Sequence, residues 1–137
     1  SFMEFKKECT LSTTDSKIKC EENKRKIIFN NNNRFKVDKI LVDNCQITSG
    51  VRCDFLVKLD KREYFIELKG EDIKHAFEQL TRSISILGSV ECQLRKCFII
   101  SSRSPLASPQ IQNVRLQFKK KYNSDLIVKN KSFEENL

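Results

Sequence analysis

Two acidic residues and a lysine lie at the ends of two neighbouring apolar segments in the middle of the chain. Asp54 opens the first segment, and Glu67 and Lys69 close the second. Both segments alternate as β-strands do, with successive side chains on opposite faces. Carboxylates are ligands that magnesium prefers, and an ammonium group nearby can orient a metal-bound water or stabilise charge on a phosphate. These residues therefore have the chemistry for phosphodiester hydrolysis if the fold brings them together.

The register between the two segments decides whether the acids meet. A hairpin that places Lys58 opposite Glu63 also places Asp54 opposite Glu67, with Cβ atoms about 5 Å apart. A slip of one residue would move Asp54 to the wrong face of the sheet. Lys69 follows Glu67 by two residues, so it lies on the same face, about 6.6 Å along the strand. Two opposed carboxylates repel each other, and a divalent cation would neutralise them.

The spacing of Asp54, Glu67 and Lys69, on a hairpin followed directly by a helix, resembles the PD-(D/E)xK nuclease superfamily, also called restriction-endonuclease-like. The middle third of the chain looks like small bacterial or phage members. The resemblance implies that Asp54, Glu67 and the backbone carbonyl of Leu68 hold Mg²⁺, for which Mn²⁺ can substitute. It implies that Lys69 assists the attacking water. Cys53 stands where the family's proline would be, a position that varies widely.

The resemblance also implies auxiliary residues. A glutamine after the lysine strand often faces the site in such proteins, and Gln79 matches it, with a role in positioning water or backbone. Many members carry an acid on their first helix. Glu21 or Glu22 could match, because a short helix is predicted from Thr13 to Asn23. The alternative for Gln79, His75 and either glutamate is an ordinary solvated surface position.

The apolar pattern predicts an α/β fold, a mixed central β-sheet flanked by helices, and the resemblance adds a restriction-endonuclease-like core. Helices are expected from Asp72, as the cap, to Leu87 and from Pro109 to Tyr122. Residues 130–137 are polar and are expected to fray. Strands are expected at Lys26–Phe29, Phe35–Asp43, Val51–Leu59, Glu63–Lys69, Lys96–Ile100 and Asp125–Val128.

Composition limits the remaining possibilities. A chain of 137 residues with 39% apolar residues fits one domain over residues 1–137, with Ser1 and Phe2 before Met3 left out of fold reasoning. The net charge of +8 favours a polyanionic partner. No apolar run approaches the roughly 20 residues that span a bilayer, so no membrane partner is expected. Six cysteines without a CxxC pair predict reduced, buried thiols, and a single histidine argues against zinc.

These features together predict a metal-dependent nuclease that acts in the cytoplasm on nucleic acid, with DNA favoured over RNA. The alternative is a catalytically inactive module of the same fold that binds nucleic acid or a protein partner. A third possibility is an interaction protein whose charge serves solubility. One site cuts one strand, so cleavage of both strands would require a homodimer or rebinding. Targeting by a larger partner protein is the alternative to a homodimer.

Overall fold

The computed structural model of the protein describes residues 4–68, 72–102 and 109–137. The elements in chain order are a 3₁₀ helix Lys7–Cys9, β1 Thr10–Thr13, β2 Lys17–Glu22, β3 Arg25–Asn30, β4 Val37–Leu41, β5 Phe55–Leu59, β6 Arg62–Glu67, α1 Ile73–Leu87, β7 Leu94–Ser101, α2 Pro109–Tyr122, β8 Ser124–Asn130 and β9 Ser132–Asn136. Within the described residues, no helix is both long and apolar enough to cross a bilayer.

The main sheet has the strand order β1-β4-β5-β6-β7-β8. Its first half is antiparallel, whereas β6, β7 and β8 run parallel to one another. Parallel neighbours need a crossover connection, and α1 and α2 supply the two crossovers. The predicted mixed α/β fold is therefore confirmed. The predicted strands correspond to β3 through β8 with ends displaced by a few residues, and the two helices predicted after Glu67 correspond to α1 and α2.

The main sheet separates two apolar cores. Leu56 and Phe65 pack with the helices on one face, whereas Val57, Tyr64 and Ile66 pack with the second sheet on the other. Because both faces are covered, the central strands are apolar on both sides. The predicted alternation of faces along the hairpin is therefore confirmed.

The second sheet, with the order β2-β3-β9, overturns the helix predicted from Thr13 to Asn23. That segment contains β2, in which Ile18 and Cys20 are buried and the residues between them are exposed. A period of two residues, rather than the period of a helix, fits this segment. Two consecutive residues with positive φ, Asn23 (47°) and Lys24 (67°), turn the chain from β2 into β3, as two-residue hairpin loops require.

The C-terminal residues 130–137 do not fray as predicted. They form β9, which pairs in parallel with β3. Phe133 packs against the second core, and the side chain of Glu135 accepts a hydrogen bond from Lys96 Nζ at 2.6 Å. The polar composition concealed a strand whose partner lies about one hundred residues earlier, a contact that local pattern does not reveal.

The expectation of six reduced cysteines is also wrong. Cys9 and Cys45 form a disulfide, with their Cα atoms 5.8 Å apart across a sequence separation of 36. Pairing of β1 with β4 brings these two distant positions together, which cysteine spacing alone does not show. Cys20, Cys53 and Cys97 are free and buried, as predicted for them.

A buried ion-pair network secures the turn end of the hairpin. Glu63, 1% exposed, pairs with Lys58 at 3.5 Å and accepts from Arg95 Nε at 3.1 Å and Nη2 at 2.9 Å. Its second oxygen accepts from the Ser89 N–H at 2.8 Å, and Arg95 also donates to the Tyr122 carbonyl at 2.7 Å. This one carboxylate therefore connects β5, β6, β7 and the end of α2.

We expect Glu63→Ala to lower the free energy of unfolding by about 3–5 kcal/mol, because the substitution leaves Arg95, whose side chain is only 12% exposed, without its carboxylate. Urea denaturation followed by circular dichroism would measure the change. Glu91→Ala, at an exposed position, is the control and should shift stability by no more than about 0.5 kcal/mol. Equal stability of the two variants would contradict this role for Glu63.

Candidate active site

The hairpin of β5 and β6 has the register that the sequence predicts. Lys58 pairs with Glu63, and the ladder ends at the pair of Phe55 and Ile66. Asp54 lies just beyond the ladder, and its N–H donates at 3.0 Å to the carbonyl of Ile66, the residue that pairs with Phe55. The side chains of Asp54 and Glu67 interact at this end of the hairpin, opposite the turn.

Both acids are buried rather than spread on an outer face of the sheet. The exposed fraction is 5% for Asp54 and 1% for Glu67. The Leu68 N–H donates to Asp54 Oδ2 at 2.7 Å, and the Glu67 side chain is hydrogen-bonded to the Asp54 carboxyl. A solvated position on the outer face of the sheet is thus excluded for these two residues.

The environment raises the pKa of Asp54 above its ordinary value. Burial is the largest cause, and the hydrogen bonds from the Leu68 N–H and the Glu67 side chain act in the opposite direction. The negative charges of Glu22 and Asp43 raise the pKa further. The fold therefore concentrates negative charge around a buried carboxylate, an arrangement that carries a free-energy cost at neutral pH.

The donor chemistry at this position fits a hard divalent cation. Magnesium usually takes one or two protein carboxylates and completes its octahedron with water and substrate phosphate. Asp54 and Glu67 supply such a pair from adjacent strands. Across residues 4–68, 72–102 and 109–137, no cluster of three or more His, Cys, Asp or Glu side chains is arranged as a metal site. A cation here would therefore rest on two carboxylates, not on a cage of protein ligands.

Lys69 and Leu68 were both predicted to belong to the site, and the structure describes only Leu68. Lys69, the predicted catalytic lysine, lies outside the described residues. Leu68 is described, and its side chain is buried in the core between the two sheets. Its N–H holds Asp54, while the use of its carbonyl as a metal ligand stays a prediction.

Gln79 lies in the cleft next to Asp54. The cleft has a volume of about 420 Å³, and its walls include Asp54, Arg52, His75 and Gln79. Gln79 Nε2 donates to the Arg52 carbonyl at 3.1 Å. The structure thus brings Gln79 and His75 to the same cleft as Asp54, and the catalytic role of Gln79 stays a prediction.

Helix α1 holds the segment that leads into Asp54. Ser83 Oγ accepts from the Cys53 N–H at 2.8 Å, and Arg82 Nη1 donates to the Val51 carbonyl at 2.6 Å. With the bond from Gln79, three side chains on one side of α1 fix residues 51–53. These hydrogen bonds were not predicted, because they join positions about thirty residues apart and the sequence contains no local signal for them.

The acidic residues predicted on a first helix lie on β2 instead. Glu21 and Glu22 border a hollow of about 230 Å³ that they share with Asp43 and Asp54. Glu22 is close enough to raise the pKa of Asp54. The proposed helix was wrong, but one of the two candidate acids does lie beside the site.

Asp43, which was predicted only as the end of a strand, lies close to the site. Its N–H donates to the Asp54 carbonyl at 3.3 Å, and its carboxylate pairs with Arg52 at 2.9 Å. The turn after β4 therefore continues the hydrogen bonding of the sheet up to Asp54. Asp43 borders both hollows that meet at Asp54.

Comparison with protein-family models, curated proteins and solved structures gave no match to this chain. The resemblance to the PD-(D/E)xK superfamily therefore stays a prediction from the sequence.

We expect Asp54→Asn to stabilise the fold at neutral pH. Because the folded-state pKa of Asp54 is raised, its favourable contribution is complete below the unfolded pKa and is lost as the pH rises through the folded pKa. Asparagine keeps an oxygen acceptor for the Leu68 N–H and carries no charge. The melting temperature at pH 7 should rise by about 3–5 °C per kcal/mol gained. The gain should shrink toward pH 4, about the unfolded pKa of aspartate.

Thermal denaturation of both proteins at several pH values would measure this difference. Asp15→Asn, at an exposed position, is the matched control and should show no such gain. A melting temperature of Asp54→Asn at or below that of the wild type at pH 7 would refute the electrostatic cost assigned to Asp54.

Proposed function

We propose that the protein is a metal-dependent nuclease that hydrolyses phosphodiester bonds in nucleic acid, with DNA as the favoured substrate, on a restriction-endonuclease-like core. The observation that carries this proposal is the pair of buried, interacting carboxyl groups of Asp54 and Glu67, of which Asp54 lines an open cleft. The net charge of +8 agrees with a polyanionic substrate.

A comparison within the chain supports a functional role for this pair. Glu63 is buried too, but Arg95 and Lys58 compensate its charge. At Asp54, Glu22 and Asp43 instead add negative charge and raise the pKa. Buried acids in such an environment are characteristic of functional sites, where a cation or a substrate completes the electrostatics. Asp54 fits a binding site better than a structural ion pair.

Each residue has a proposed role. Asp54 and Glu67 would hold the divalent cation, Mg²⁺ or Mn²⁺, with the Leu68 carbonyl as a further ligand. The bound cation supplies Lewis acidity and lowers the pKa of a coordinated water. The Leu68 N–H keeps Asp54 in position, Gln79 would orient water or phosphate in the cleft, and Lys69 would assist the attacking water.

The second candidate is an inactive module of the same fold that binds nucleic acid or a protein partner. The hydrogen bond between the Glu67 and Asp54 side chains favours it, since a shared proton can stabilise a carboxyl pair without a metal. A homodimer or a larger partner protein fits either function. Cleavage assays separate the two candidates.

We expect the protein to cleave labelled DNA with Mg²⁺ or Mn²⁺ and to lose cleavage in EDTA. Asp54→Asn should lower the rate by more than about a hundredfold, because loss even of an outer-sphere partner of a metal costs ten- to a hundredfold. Lys69→Ala should have a comparable effect. Plasmid, linear, single-stranded and branched substrates would identify the preferred one.

Asp15→Asn is the control and should cleave like the wild type. Cleavage that persists in EDTA, or an Asp54→Asn variant as active as the wild type, would refute the proposed site. DNA binding without cleavage in either metal would favour the inactive module.

A further inference from the structure

Helix α2 has an exposed face without acidic residues. From Pro109 to Tyr122 the helix contains no aspartate or glutamate. Amide side chains, including Asn113 and Gln117, occupy part of its exposed surface. Four other exposed side chains are cationic: Arg115, Lys119, Lys120 and Lys121. The exposed face of α2 therefore combines positive charge and neutral hydrogen-bond donors with one exposed apolar side chain, Leu116.

The fold accounts for only part of this composition, since Arg115 Nε donates to the Leu126 carbonyl at 3.2 Å and Lys121 Nζ lies 5.5 Å from the centre of the Tyr122 ring. Ile111 and Phe118 bury the inner side of the helix, and the Phe118 ring lies 6.2 Å from the Phe77 ring of α1. Lys119 pairs with Asp125 at 3.2 Å, but both side chains are about half exposed or more, and such pairs add little stability. Lys120 is also exposed. These cations therefore remain accessible to a polyanion.

The topology places the start of α2 at the edge of the sheet that carries the acid pair, and it places Lys119, Lys120 and Lys121, in the last turn of α2, at the opposite edge. Parallel strands end at the same edge of a sheet, so α2, which follows β7, begins at the edge where Glu67 ends β6. Two strand spacings, about 10 Å, separate β6 from β8, against which α2 packs. A helix of 14 residues extends about 21 Å from that edge. A duplex held at the acids can therefore extend along α2.

We propose that the exposed face of α2 binds the phosphate backbone of duplex DNA that is presented to the Asp54–Glu67 site, an inference that rests on the proposed function. Lysine, arginine, asparagine and glutamine are the side chains that bond phosphate oxygens and fix the position of a duplex. The outer face of the second sheet is different, because exposed Lys17 and Lys19 share it with Glu21 and Glu134. The α2 face is complementary to DNA, whereas that sheet face has mixed charge.

The test compares two triple variants in duplex DNA binding, measured by fluorescence anisotropy in EDTA so that binding is separated from cleavage. The first is Lys119→Gln with Lys120→Gln and Lys121→Gln, which removes one exposed ion pair. The control is Lys17→Gln with Lys19→Gln and Lys36→Gln, which also removes three exposed lysines and one exposed ion pair. Both variants lose the same charge, so only its location differs.

We expect the α2 variant to bind at least about tenfold more weakly at 0.1 M salt, and each lost phosphate contact to reduce the slope of log affinity against log salt by about 0.9. The control should retain most of the affinity and the slope. Equal effects of the two triple variants, or no effect of the α2 variant, would overturn the inference. Weaker binding to duplex RNA, with binding to duplex DNA unchanged, would also overturn it.

A second pair of variants tests the amides without removal of any lysine. Gln117→Glu places a negatively charged side chain of nearly the same shape on the α2 face and should weaken DNA binding. Gln93→Glu, at an exposed position outside the helices, should not weaken DNA binding. Loss of binding in the α2 variants supports the surface whether or not the wild type cleaves DNA. Failure of the nuclease proposal is therefore distinguishable from failure of this inference.

Discussion

The pairing of β5 with β6 is the constraint on which the rest of the site depends. A shift of one residue would exchange the two faces of the shifted strand, so that its residues would meet the wrong core. Burial on both sides of the main sheet therefore fixes the register strongly. The same register brings Asp54 beside Glu67, and α1 supports it through Gln79, Arg82 and Ser83.

The buried acids at the two ends of this hairpin have opposite electrostatic environments. At the turn end, Glu63 is surrounded by donors and cations, and the resulting network stabilises the fold. At the other end, burial and the charges of Glu22 and Asp43 raise the pKa of Asp54. Stability is thus provided at one end of the hairpin while an electrostatic cost persists at the other, as is common where function requires a strained site.

The apolar periodicity and the capping residues of the sequence were sufficient to predict helix α1 and the β5–β6 hairpin. The helix that begins after Asp72 was predicted from its cap and apolar period, and the side chain of Asp72 does accept from the His75 N–H at 3.2 Å. The hairpin register followed from charge and face matching. The amino-acid sequence alone was therefore enough to place Asp54 and Glu67 together, whereas Lys69 lies outside the described residues.

The failures concern contacts between distant parts of the chain. Strand β9 pairs with β3, which lies far from it in the sequence. The Cys9–Cys45 disulfide depends on the pairing of β1 with β4. Strand β2 was predicted as a helix. A strand in the second sheet depends more on pairing with its neighbouring strand than on a strong β propensity of its own residues. The proximity of Asp43 to Asp54 was not predicted for the same reason, because only the tertiary fold brings the two residues together.

The central claim is that Asp54 and Glu67 hold a divalent cation, and direct titration with Mn²⁺ followed by electron paramagnetic resonance tests it without any substrate. The wild type should bind one Mn²⁺ per chain, with Mg²⁺ as a competitor. Glu67→Gln should bind at least about tenfold more weakly, and Asp15→Asn should bind like the wild type. Absence of bound Mn²⁺ in the wild type, or equal affinity in Glu67→Gln, would contradict the claim.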